Sequence, residues 1–157
     1  LNTMESKIIK HLNWYYYTML ALTLIAGTLS YYLIIKDVII PIDPMTTVGQ
    51  VIQYFVILDA IITIPLGLYG FKRICDKLRT LNDENIKYAQ YQKWGTWRIV
   101  LVSNAMIFGI SAFYLMGAYK SMLWIAAISA IGWYFTKPTI GKMAQELRPK
   151  SDNEETY

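Results

Sequence analysis

The sequence predicts an all-α polytopic membrane protein: a bundle of four transmembrane helices with a cytoplasmic helical hairpin and a C-terminal interfacial helix. Three observations carry that prediction. Apolar residues make up 55% of the 157 residues and charged residues only 17%, above and below the usual shares of a soluble domain. The apolar residues are gathered into long runs, and a bilayer span needs about 20 mainly apolar residues. The basic residues flank those runs instead of interrupting them, which explains the net charge of +4 by membrane orientation and leaves no reason to invoke a nucleic acid.

The first span is expected from Trp14 to Ile35. It opens on the aromatic cluster Trp14–Tyr17, suited to the headgroup level, and meets no charge before Lys36 and Asp37. Its length and the further spans after it argue for an uncleaved first span over a secretory signal. Met4 is a candidate natural start, with the three residues before it an addition. Pro41, Asp43 and Pro44 then mark a loop.

The second span is expected from Val48 to Phe71, kinked at Pro65 and followed by Gly67 and Gly70. Residues 72–98 hold seven basic and three acidic side chains. Phe71 at the end of that span and Ile74, Leu78 and Leu81 after it recur at helical spacing, and Asn82–Asn85 reads as a turn in which Asn82 or Asp83 caps the next helix. The second and third spans are therefore expected to run on into a projecting hairpin, either a plain connector or a docking surface. The third span covers Ile99–Tyr119. The fourth, Met122–Phe135, is short and needs tilt or local thinning. After Pro138, Ile140, Met143 and Leu147 share one face of an interfacial helix that Pro149 ends. One domain covers residues 1–149, and residues 150–157 form a polar, acidic tail expected to be disordered.

Orientation follows from the flanks. Thirteen of the fifteen basic residues fall before the first span, in the middle loop or after the fourth span; only Lys36 and Lys120 lie on the other side. That bias places both termini and residues 72–98 in the cytoplasm, and size and simplicity suit a bacterial inner membrane. Gly27–Leu33 resembles Gly109–Leu115, which suggests either a parallel duplication of two-span hairpins or chance likeness between apolar helices.

Asp59 is the outstanding candidate site residue. An acid near the middle of a span costs about 2.5–3.5 kcal/mol on insertion scales, and no basic residue lies within any span to pair with it. It either carries a proton or a cation, or it donates one structural hydrogen bond that holds helices together. Asn104 is the second candidate, nearer the cytoplasmic end of its span; that depth argues against direct contact with Asp59 unless the spans are staggered. Gln50 and Gln53 are positioned for an outer vestibule. Ala105/Gly109 and Ala126/Ala130 are small pairs suited to close helix packing.

Enzymatic function is not indicated. His11 is the only histidine and Cys75 the only cysteine, so neither an intrachain disulfide nor a cysteine-based metal cluster can form. No phosphate-loop, paired-thiol or zinc-protease motif is present, and no cofactor or metal is expected. Two functions lead: a small transporter or channel subunit for protons, cations or a small cationic solute, and a non-catalytic accessory or scaffold protein that binds a partner through its cytoplasmic helices; a lipid-modifying enzyme is a third option, without a recognisable catalytic pair. The expected partners are membrane lipids and either a second copy of the chain or another membrane subunit.

Overall fold

A computed structural model describes residues 3–147; the expected acidic tail and the stop at Pro149 lie outside the described residues. Among the described residues there are six α-helices: α1 (Thr3–Ile35), α2 (Thr47–Pro65), α3 (Phe71–Leu78), α4 (Glu84–Leu115), α5 (Lys120–Phe135) and α6 (Ile140–Leu147). Thr46 caps α2 by accepting from Gly49 N, and Asp83 caps α4 by accepting from Asn85 N. Beyond Pro65 the helix passes through a π-helical turn, Leu66–Gly70, into α3. A proline followed by two glycines is where a wider turn is accommodated, because the i→i−4 ladder is already broken there.

Three stretches are long and apolar enough to cross a membrane: Met4–Ile35, Thr47–Leu78 and Glu84–Leu115. α5 has only sixteen residues, about 24 Å at helical rise. Large apolar side chains stand exposed along α1, α2 and α5, among them Ile25, Leu29, Leu58, Ile61, Ile62, Trp124 and Ile131. That surface suits contact with lipid far better than contact with water.

α4 is the hub of the bundle, packing against α1, α2 and α5. It runs parallel to α1 in an unbroken register 83 residues apart. Tyr88 donates to Glu5, Gly95 lies against Leu12, Gly27 against Ile110, and Tyr31 meets Tyr114 edge-on. α5 returns antiparallel to α4, and the approach is closest at Gly109, where a Cβ would come within 2.9 Å of the backbone nitrogen of Ala126. This is the small-residue contact expected of Gly109. The turn between α4 and α5 carries Gly117 and Ala118 in left-handed conformation, and Ile42 N donates to Leu115 O to tie the first loop to the same end. Of the two hairpins that a duplication would require, α4 and α5 pack closely together, whereas α1 packs on α4 and not extensively on α2.

The largest core lies toward the end where α1 begins. Ile8, Leu12, Tyr16, Phe71, Cys75, Leu78, Tyr91, Ile99, Met143 and Leu147 are buried together there. Residues 72–98 therefore do not project alone: α3 and the first half of α4 are packed against the start of α1 and against α6. The apolar face of α6 also departs from expectation. Met143 and Leu147 are buried against protein, with Ile140 packed beside them, instead of resting on a membrane surface.

Candidate functional site

Asp59 sits on α2 facing α4. Asn104 Nδ2 donates to Asp59 Oδ1 at 3.5 Å, and the hydroxyl of Thr63 donates to the backbone oxygen of Asp59 at 2.7 Å. Asp59 Oδ2 is buried with no hydrogen-bond partner. The difference in depth expected between Asp59 and Asn104 is thus corrected. α2 and α4 are antiparallel and staggered, so Phe55 meets Phe108 one turn away and Asn104 arrives at the level of Asp59. The stagger comes from how α4 packs; the helix begins at Glu84, fifteen residues before the expected start of the third span at Ile99.

Gln53 and Gln50 are not brought to this pair. Gln53 Nε2 donates to Pro44 O at 2.9 Å, securing the loop before α2, and Gln50 is exposed. Among the described residues, no group of three or more histidine, cysteine, aspartate or glutamate side chains is gathered to hold a metal ion.

A second polar cluster, which sequence reasoning missed, lies at the base. Arg98 on α4 is only 5% exposed. Its guanidinium lies 3.8 Å over the ring of Phe71, and its Nη1 is 3.6 Å from Glu146 Oε1 on α6. Arg98 Nε has no hydrogen-bond acceptor. Glu146 also receives the Cys75 thiol at 3.4 Å, while Arg79 on the turn after α3 donates to the backbone oxygens of Glu146 (2.6 Å) and Gln145 (3.4 Å) and pairs with Asp76 at 3.4 Å. Lys142 donates to Phe135 O at the end of α5, where a cation complements the helix terminus. Burial, and then the neighbouring Arg98, hold the Lys142 ammonium below the usual lysine range, with Glu146 opposing them.

No family model, curated protein or solved structure matches this chain. Its chemistry must therefore be argued from these two clusters. The signal that would have found Arg98 is its place in the helical pattern: it shares a face with Tyr91, Gly95 and Val102, all buried, so a basic residue there needed a partner.

Proposed function

We propose that the chain is a four-span integral membrane subunit that handles protons or cations through Asp59 and Asn104, in an oligomer or beside another membrane subunit. The observation that carries this reading is the buried, unpartnered Oδ2 of Asp59 at the middle of an apolar helix. A carboxylate oxygen without partners in an apolar setting is costly, and a proton or a cation relieves that cost. Asn104 supplies a neutral donor that tolerates either state.

A fourth span is supported by α5, which returns alongside the outer half of α4, from Gly109 opposite Ala126 to Val102 beside Gly132. The lining of four surface and interior cavities does not include Asp59, and the neighbouring α2 side chains Phe55, Leu58 and Ile62 are exposed. A route to Asp59 is therefore best supplied where a second subunit covers α2. The concentration of basic residues at the base supports a cytoplasmic position for it, in a bacterial inner membrane.

The test is proton and monovalent-cation flux in proteoliposomes, comparing the unaltered protein with Asp59→Asn. Flux lost in the variant, with its fold and oligomeric state retained, is the expected result; equal flux in both proteins would sink the proposal.

The packed base favours a second reading, an accessory protein that holds a partner through α3, α4 and α6. Crosslinking in native membranes that recovers one stable partner, with no flux from the reconstituted chain alone, would select it.

A further inference from the structure

The base contains a cleft of about 280 Å³ between α3, α4 and α6, lined by Lys72, Arg79 and Arg98 together with Asp76, Cys75 and Glu146. Three cations face two acids there. The use made of Arg98 is incomplete: its contact to Glu146 is an ion pair longer than a hydrogen bond, and its Nε has no acceptor although the residue is 95% buried. A guanidinium in a rigid site, stacked on an aromatic ring, suits an anion that offers two oxygens to its fork and further oxygens to neighbouring donors, as a phosphate does. Glu146 offers a single carboxylate, and it does so from a helix of eight residues joined to α5 by a short connection.

We propose that this cleft is a binding site for the phosphate of an anionic lipid, and that α6 is its displaceable occupant. Glu146 stands in for the phosphate when α6 is docked. When the lipid phosphate takes Arg98, with Lys72 at the cleft mouth, Glu146 is released along with its acidic charge. Arg79 then exchanges the α6 carbonyl oxygens for phosphate oxygens. The position is suited to a headgroup: Trp94 and Trp97, residues of the interfacial type, line a neighbouring cavity that shares Arg98 and Phe71 with the cleft, and the exposed apolar Leu66 lies on that same cavity. The proposal rests on the membrane-spanning reading with the base at headgroup level, and not on any role for Asp59.

Cys75 supplies a native reporter. It is buried, lies in contact with Glu146, and becomes reachable when α6 leaves. The experiment measures the rate of maleimide labelling of Cys75 in the full chain, in nanodiscs of phosphatidylcholine with and without phosphatidylglycerol, at constant ionic strength. Labelling should be about fivefold faster in the anionic bilayer, the factor expected of one basic residue meeting anionic lipid. Lys72→Gln removes a cleft cation that makes no hydrogen bond or ion pair with α6 among the described residues, and should reduce that ratio. Glu146→Gln should label faster in both bilayers. Equal rates of the unaltered protein in the two bilayers, or no acceleration in Glu146→Gln, would overturn the proposal. Acceleration by inorganic phosphate in phosphatidylcholine but none by the anionic lipid would overturn the lipid assignment and identify soluble phosphate as the source.

Discussion

Asn104 Nδ2 lies within hydrogen-bonding distance of Asp59 Oδ1, 3.5 Å across the α2–α4 interface, and leaves the second carboxyl oxygen buried without a partner. The two residues differ in what their removal does. Replacing Asn104 with Leu leaves the acid with neither oxygen partnered and should lower thermal stability in detergent. The expected loss is about 0.6 kcal/mol, the average of interhelical hydrogen bonds in membranes, and at most about 1.7 kcal/mol. Replacing Asp59 with Leu removes the unpartnered carboxyl oxygen and leaves only the neutral Asn104 amide without its acceptor, so it should cost less than Asn104→Leu. Equal destabilisation by both would show that the pair is a simple structural bond.

The Arg98–Glu146 pair predicts a different asymmetry. Glu146→Leu leaves the buried Arg98 unpaired, a defect that costs about 3–5 kcal/mol at fully buried sites and less here because Glu146 is 20% exposed. The double variant Arg98→Met with Glu146→Leu should recover much of the loss, since neither charge is then stranded. A double-mutant cycle by thermal unfolding checks this; strictly additive losses would refute the coupling.

Two glycines should respond in opposite directions. A Cβ at Gly109 would come within 2.9–3.0 Å of the Ala126 backbone, which cannot move as a side chain does, so Gly109→Ala should cost about 1–3 kcal/mol. Gly141 on α6 has nothing within 4 Å of an added Cβ. Gly141→Ala should therefore stabilise by about 0.4–1 kcal/mol through the unfolded chain. Unfolding midpoints of the two variants decide the matter.

The parallel register of α1 and α4 is open to chemical test. In a Cys75→Ser background, cysteines at Gly27 and Ile110 should crosslink under mild oxidation, because a Cβ at Gly27 would lie 3.3 Å from Ile110 Cγ1. Cysteines at Gly27 and Tyr114 lie one turn further apart along the helices and should react more slowly. Equal yields would contradict the fixed register.

Much of this architecture was legible in the sequence. Apolar runs marked α1, α2, α4 and α5, Asp83 was a candidate cap and is one, and Pro65 with its glycines marked the place where the helix changes its winding. The spacing of Phe71, Ile74 and Leu78 identified the buried face of α3. What escaped was relative position. Span boundaries drawn where charges begin placed Ile99 at the edge of the third span, yet α4 is buried well before it, at Tyr91 and Gly95. Charge marks the reach of solvent only where no other helix covers the side chain. Arg98 is covered by Phe71 and α6, and Asn104 meets Asp59 because of a stagger that depends on how α4 packs and not on its composition. The face of α6 was correctly apolar, but the pattern of Ile140, Met143 and Leu147 is the same whether lipid or protein receives it.

The 83-residue register between α1 and α4 has a consequence for biosynthesis. A ribosome makes α1 first, but its principal neighbour is not finished until Leu115 has been added. Until then α1 lacks that neighbour, since it does not pack extensively on α2, and Thr23 and Ser30, buried in the finished bundle, lie on a helix without its mate. Their hydroxyls can turn to the helix's own carbonyls, as Thr23 does to Met19 at 2.8 Å, so the waiting helix carries no stranded donor there into the lipid. The order of manufacture is thus made tolerable by residues that, in the completed molecule, look like ordinary packing.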